Sequence, residues 1–128
     1  MNLLLDTHAL LWFALDDPQL SSTAQSLIVD PANIKSVSPA SYWELAIKIS
    51  LGKYKLTVPF DQFMDSAIHK NGFRIVPLDV RHANFLVALP FHHRDPFDRM
   101  IIAQAIVDGM LIVSNDPALD AYPIKRLW

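Results

Sequence analysis

Three consecutive leucines that end at a carboxylate constrain the fold more than any other stretch of the chain. Leu3 to Leu5 form an apolar run that is too short for a helix and is typical of a strand buried on both faces. Asp6 follows directly, and residues 9–15 then predict a helix. In open parallel α/β sheets, ligands bind at the carboxyl ends of the strands, where the strand order reverses. Asp6 is therefore either a plain helix cap or the first residue of a site at that edge.

Composition limits the classes of protein that fit this chain. Its 128 residues are enough for one domain, 1–128, whose core is stable without disulfides, and the absence of cysteine excludes thiolate metal sites. The formal net charge of −2 argues against binding nucleic acid through bulk positive charge, although a local basic track stays open. With no basic segment before the first apolar run and no run of membrane-spanning length, we expect a soluble cytoplasmic protein with no membrane partner.

Strand and helix patterns alternate along the remainder of the chain. Further strands are predicted at 34–38, 73–78, 111–113 and 124–127. Helices are predicted at 23–29, 39–51, 59–70, 79–89 and 96–108. This alternation predicts an α/β fold with a mostly parallel five-stranded sheet and helices on both of its faces.

Three more acids are predicted at the same edge of the sheet as Asp6. Glu44 lies about one turn into the helix after the second strand, and Asp116 follows the fourth strand. Asp98 is in the first turn of the long helix, above the buried Ile102, where an acid needs either a positive partner or a metal.

Each of these acids also has a purely structural explanation. Glu44 can form an i,i+4 pair with Lys48, and Asp116 can cap the turn that follows it. Asp98 can pair with Arg94 or Arg99. As a set, however, four carboxylates at one edge would raise each other's pKa unless a cation neutralised them. Because all of the donors are oxygens, Mg²⁺ or Mn²⁺ is the expected cation, and such a site suits hydrolysis of a phosphodiester.

The order and spacing of four segments resemble the PIN-domain ribonucleases, in particular the VapC-type toxins of bacterial toxin–antitoxin systems. The segments are LLLDTHALLW, SPASYWELAIKISLGK, DPFDRMIIAQA and IVSNDPAL, and the resemblance covers essentially the whole chain. It implies a PIN-like three-layer α/β/α sandwich with a mostly parallel five-stranded sheet. The four acids of the family correspond to Asp6, Glu44, Asp98 and Asp116, which the resemblance makes both catalytic and metal-binding.

The resemblance also implies an activity and its partners. It implies a Mg²⁺- or Mn²⁺-dependent endoribonuclease that acts on RNA, is inhibited by a cognate antitoxin and forms a homodimer. Secondary site residues are Asp95, which belongs to the DPFDR variant of the motif, Ser114, where many relatives carry Thr, and Thr7 beside the first acid.

A local basic track for the RNA backbone is then expected despite the negative total charge. Its candidate residues are Lys48, Lys53, Lys55, Arg94 and Arg99, although each lysine taken singly is more readily explained as a solvated charge. His8, His92 and His93 are interpreted as structural or substrate-facing side chains rather than as metal ligands.

Two other functions stay open at this point. A phosphoaspartyl enzyme or receiver-like domain would also place an acid after the first strand, but the phosphatases of that kind carry a second acid two positions later, where this chain has His8. A non-catalytic PIN-like binding module would have lost one of the acids, and none is lost.

Apolar side chains also predict a protein partner. Leu11 to Phe13 are consecutive and cannot all face inward from one helix stripe, and Tyr42 with Trp43 repeats the pattern in a second helix. We expect at least one of these clusters to be covered by a second copy or by an antitoxin segment.

Overall fold

The computed structural model describes residues 1–128 and contains five short strands. The strands are β1 (Asn2–Leu5), β2 (Ile34–Val37), β3 (Arg74–Ile75), β4 (Leu111–Val113) and β5 (Arg126–Leu127). The helices are α1 (Thr7–Ala14), α2 (Ser22–Val29), α3 (Pro39–Ser50), α4 (Phe60–Met64), α5 (Val80–Val87) and α6 (Pro96–Asp108). A π-helical turn, Asp65–His69, continues α4, and a 3₁₀ turn, Pro117–Ala121, connects β4 to β5. None of the helices is both long enough and apolar enough to cross a membrane.

The leucine run forms the central strand of the sheet, as the sequence predicts. Leu3, Leu4 and Leu5 are fully buried, and each contributes about 2 kcal/mol through the apolar surface it removes from water. Leu3 and Leu5 pack into a core with α1, α2 and the π-helical turn, whereas Leu4 packs into a second core with α6 on the opposite face. The predicted α/β/α arrangement is therefore confirmed.

The strand order is β3-β2-β1-β4-β5, and every neighbouring pair is parallel. The sheet is thus wholly, rather than mostly, parallel. Its order reverses between β1 and β4, which places the residues after these two strands at the topological switch point. A receiver-like domain would have the order 2-1-3-4-5, so the structure excludes that interpretation of Asp6.

The main departures from the predicted elements are at their ends. The third strand pairs over Arg74–Ile75 and not over 73–78, since Pro77 has no N–H to donate to a ladder. The helix expected to run to Leu89 ends at Val87, because the residue before Pro90 is disfavoured in helical geometry. The second half of the predicted fourth helix is π-helical.

Helix α6 is buried on more sides than the sequence pattern predicts. The polar side chain of Gln104 is fully buried, and its Nε2 donates to the carbonyl oxygen of Val76 at 2.6 Å. The reason is that α6 packs against both α3 and α5, so that this polar side chain fills the junction with the connection that follows β3.

Candidate active site

Asp6 is both a helix cap and a buried charge at the switch point. Its Oδ1 accepts a hydrogen bond from the amide of Ala9 at 2.8 Å, so the structural explanation of this residue holds. Burial raises the pKa of Asp6, the Ser114 hydroxyl and the Ala9 amide lower it, and the negative charge of Asp116 raises it further. Asp6 therefore lies close to the residues that follow β4.

Glu44 reaches the same edge from α3 and is buried, with 4% of its surface exposed. The Thr7 hydroxyl donates to Glu44 Oε1 at 2.7 Å, which connects the first turn of α1 to this carboxylate. Lys48 Nζ lies 2.9 Å from Oε2, so the i,i+4 pair expected from the sequence is also present. Hydrogen bonding to Glu44 raises the pKa of Lys48, and the charges of Asp95 and Asp98 add to this effect. Lys48 thus faces the acids and is not an isolated surface charge.

The start of α6 supplies the third acid. Asp95 is the N-cap, and its Oδ1 accepts hydrogen bonds from the amides of Phe97 and Asp98. Burial raises the pKa of Asp98 to about 7, with the charges of Asp95, Glu44 and Asp6 acting in the same direction. A carboxyl with this pKa is one whose negative charge the surrounding protein does not balance.

Asp116 supplies the fourth acid from the turn after β4. Its Oδ1 accepts from the amide of Ala118 at 3.0 Å, and its own amide donates to the fully buried Ser114 Oγ at 3.1 Å. Ser114 thereby contacts the backbone of one acid and lowers the pKa of another, Asp6. The Ser114 hydroxyl thus connects the residues after β1 to the residues after β4.

His93, interpreted from the sequence as a structural or substrate-facing side chain, lies beside two of the acids in the structure. Its Nε2 lies 3.2 Å from Asp98 Oδ2 and 3.0 Å from Asp116 Oδ2, so that one ring nitrogen bridges two of the acids. The ligand-capable atoms of these three residues lie within 4.8 Å of one another. Its position in the sequence could have indicated these contacts, because a side chain two residues before the N-cap of α6 lies near the acid in the first turn of that helix.

The expected basic track is only partly accessible. Lys53, Lys55 and Arg94 are exposed, and the side chain of Lys48 is 42% exposed. Arg99, however, is buried, and its guanidinium donates to the carbonyl oxygens of Leu89 and Pro90 at 3.0 and 2.8 Å. The expectation that Arg99 contacts RNA is therefore wrong for this conformation, because its N–H groups point into the protein.

The donor set at this edge fits a small hard cation. Asp6, Glu44, Asp98 and Asp116 offer carboxylate oxygens, which Mg²⁺ and Mn²⁺ prefer, and the chain provides no thiolate. The pKa values of Asp6 and Asp98 are both raised, so bound positive charge would be favourable here. These residues also lie at the switch point between β1 and β4, which is where ligands bind in sheets of this kind.

A family model described as the PIN domain matches residues 3–125 of the chain. The chain belongs to the PIN-domain family. This PIN domain is 32% identical over 127 residues to Ribonuclease VapC22 of Mycobacterium tuberculosis (strain ATCC 25618 / H37Rv), and the match covers 98% of this chain and 95% of that protein.

Solved structures of toxin–antitoxin complexes share the fold. VapBC2 from Rickettsia felis, bound to a DNA fragment from its promoter, matches over 100% of both chains with a TM-score of 0.69 and 15% identity. VapBC-1 from nontypeable Haemophilus influenzae matches over 98% of this chain and 96% of that chain, with a TM-score of 0.63 and 13% identity. At these identities the likeness concerns the fold alone.

Proposed function

We propose that this PIN domain is a metal-dependent endoribonuclease, the toxin of a toxin–antitoxin pair, which hydrolyses RNA phosphodiester bonds. The observation that carries the proposal is the convergence of four carboxylates at the switch point of the sheet, two of which, Asp6 and Asp98, have raised pKa values. The full-length similarity to a ribonuclease supports the choice of substrate. An RNA substrate in turn places the protein in the cytoplasm.

The cation is held, in this proposal, by Asp6, Glu44, Asp98 and Asp116. Mg²⁺ or Mn²⁺ bound there would activate the attacking water and offset charge on the leaving oxygen. The protein itself orients the ligands. Thr7 fixes one oxygen of Glu44, and Ser114 fixes the backbone that carries Asp116. Asp95 contributes by capping α6 and by adding negative charge beside Asp98.

The substrate backbone is contacted by the basic residues that remain accessible. Lys48 is held over the acids by its ion pair with Glu44, and Arg94 is exposed in the loop before α6. Neutralising phosphates at these two positions gives an affinity that falls with increasing salt. Arg99 has no part in this contact because its guanidinium is buried.

The partners in this proposal are a cognate antitoxin and a second copy of the chain. An apolar stripe on the outer side of α3 supports a protein partner. Its residues are Trp43, Ile47 and Leu51, which are 60%, 42% and 62% exposed at i, i+4 and i+8 spacing. Exposed large apolar side chains along one helix line are typical of interaction surfaces.

Incubation with a mixed cellular RNA preparation tests the function. We expect endonucleolytic products in Mg²⁺ or Mn²⁺, none in EDTA, and recovery of cleavage when the divalent ion is restored. Binding of RNA without cleavage under every divalent condition would contradict the proposal and support the alternative, a non-catalytic PIN-like binding module.

A further inference from the structure

Hydrogen bonds fix the backbone of the loop before α6 around His93. The amide of His93 donates to the Tyr122 hydroxyl at 2.9 Å, and that hydroxyl donates to the carbonyl oxygen of Pro90 at 2.7 Å. Arg99 Nη1 donates to the same carbonyl at 2.8 Å, and the guanidinium lies 3.9 Å from the centre of the Phe91 ring. These hydrogen bonds fix the backbone that carries the imidazole, and such support is a condition for a side chain with a defined role at a site.

The other ring nitrogen of His93 defines its tautomer. The amide of Asp95 donates to His93 Nδ1 at 3.2 Å, so Nδ1 acts as an acceptor and carries no proton. A neutral ring that accepts at Nδ1 is protonated at Nε2. The Nε2–H group is therefore the donor to Asp116 Oδ2, at 3.0 Å, and Asp98 Oδ2 lies 3.2 Å from the same nitrogen.

The donor and acceptor roles of the two ring nitrogens are the reverse of those in a histidine that binds a metal through Nε2. A ligating imidazole uses the lone pair of one nitrogen for the metal and donates its other N–H to a carbonyl or carboxylate. If His93 Nε2 were the ligand, a neutral ring would carry its proton on Nδ1. That proton would point at the N–H of Asp95, so two donors would face each other at a distance of 3.2 Å with no acceptor between them. The cap of α6 therefore opposes metal ligation by His93.

We infer that His93 is a neutral hydrogen-bond donor of the active site and not a metal ligand. In the protein stripped of divalent cations it donates its Nε2–H to Asp116 beside Asp98, and when a cation engages the two acids it donates the same Nε2–H to a phosphate oxygen of RNA. The inference rests on the proposed function for its substrate. The part that concerns the metal-free protein depends only on the tautomer and on the contacts of Nε2. A cation would compete with the Nε2–H for Asp116 Oδ2 and for the space beside Asp98 Oδ2.

The tautomer is tested first, by ¹⁵N NMR of histidine-labelled protein in EDTA at neutral pH. The His93 signals are assigned by comparison with His93→Gln. We expect an unprotonated Nδ1 and a protonated Nε2 in EDTA, with Nε2 still protonated after saturation with Mg²⁺. Loss of the Nε2 proton on adding Mg²⁺ would overturn the inference, because it would show ligation.

Metal affinity is tested next, by calorimetric titration of Mn²⁺ into wild type, His93→Ala and His93→Gln. We expect His93→Ala to bind Mn²⁺ at least as tightly as wild type, because a competitor for the carboxylate oxygens is removed. A tenfold or greater loss of affinity in both variants would overturn the inference. His69→Ala serves as the matched control, since His69 is exposed at the end of the π-helical turn.

RNA cleavage tests the second half. Removal of a donor to a charged phosphate in His93→Ala should lower kcat/KM by about 10²-fold. His93→Gln, whose amide N–H can replace Nε2–H, should recover at least tenfold of this loss. Unchanged cleavage in folded His93→Ala would refute the substrate contact. If wild type itself cleaves no RNA, the proposed function fails, while the NMR and calorimetric results still decide the donor role.

Discussion

At the scale of single residues, three of the four acids lie at the N-termini of helical turns as well as at the same edge of the sheet. Asp6 and Asp116 cap the helical turns that follow them, and Asp98 lies in the first helical turn behind the cap Asp95. Carboxylates near helix N-termini are favourable for local structure, and the parallel sheet brings those N-termini to one edge. Positions that favour helix N-termini are therefore also the positions at which the proposed metal site would lie.

Asparagine is the informative substitution at these positions because it caps helices about as well as aspartate but carries no charge. We expect Asp6→Asn and Asp98→Asn each to lower metal-dependent RNA cleavage by at least 10²-fold, with the circular dichroism spectrum of wild type and a single cooperative unfolding transition. Asp61→Asn, at an exposed position near the start of α4, is the control and should cleave like wild type. Full activity in a well-folded Asp98→Asn protein would refute the assignment.

The raised pKa of Asp98 predicts how stability depends on pH. Since the pKa is about 7 in the folded protein against an ordinary value of 3.8, the folded state binds more protons than the unfolded state between these pH values. The stability that Asp98 protonation contributes is complete below about pH 4 and is lost as pH rises through about 7. Burial of Asp6 acts in the same direction.

Urea unfolding in EDTA measures this effect. At pH 8, Asp98→Asn should be more stable than wild type by about 1–3 kcal/mol, and the difference should shrink towards pH 4. Saturating Mg²⁺ at pH 8 should then stabilise wild type more than the variant, because the cation binds the folded carboxylates. A wild-type protein in EDTA whose stability rises between pH 5 and pH 8 relative to Asp98→Asn would contradict the account.

At the scale of elements, the loop between α5 and α6 shows what sequence patterns do not reveal. The number and order of strands and helices followed from periodicity, capping residues and proline positions. The bonds of this loop join residues far apart in sequence, such as Tyr122 with Pro90, and no local pattern records them. For the same reason the contacts of His93 with the acids were not predicted and Arg99 was placed on the surface, whereas the four acids could be located from strand ends and helix starts alone.

Tyr122→Phe tests the support of this loop. The variant removes the hydroxyl that accepts from the His93 amide and donates to the Pro90 carbonyl, so we expect a loss of about 1–2 kcal/mol of stability. Cleavage should fall while Mn²⁺ affinity stays close to that of wild type, since the acids keep their own caps. Tyr54→Phe, at a partly buried tyrosine on the opposite side of the sheet, is the control. Equal stability and cleavage in the two variants would show that the Tyr122 hydroxyl does not support the loop.

At the scale of the whole molecule, the structure covers most of the aromatic residues that had suggested a partner. Leu11 is buried, Trp12 stacks on His8 and contacts Trp128 edge-on, and Phe13 packs on Phe73. The N-terminal cluster is thus largely covered within the chain itself. Of the second cluster, Trp43 remains 60% exposed and begins the stripe on α3. A sequence pattern could indicate excess apolar surface but not which part of it the C-terminal Trp128 would cover.

Light scattering tests whether this stripe is an interface. We expect wild type to form a dimer at micromolar concentration and Ile47→Lys to shift the equilibrium towards monomer by at least tenfold, because a buried unpaired ammonium is unfavourable. Val87→Lys, at an equally apolar and 86% exposed position on α5, is the matched control and should leave the dimer unchanged. A monomeric wild type, or an Ile47→Lys protein that dimerises normally, would contradict the prediction that α3 supplies the interface.

Anomalous diffraction from crystals soaked in Mn²⁺ tests the central claim most directly, because it locates the cation independently of activity. The account predicts an anomalous peak enclosed by the carboxylates of Asp6, Asp98 and Asp116, with Glu44 reached directly or through water, and with His93 Nε2 outside direct coordination distance. The same peak should be absent from crystals of Asp98→Asn soaked at the same concentration. Saturating Mn²⁺ that binds elsewhere and leaves these four acids without a peak would contradict the account.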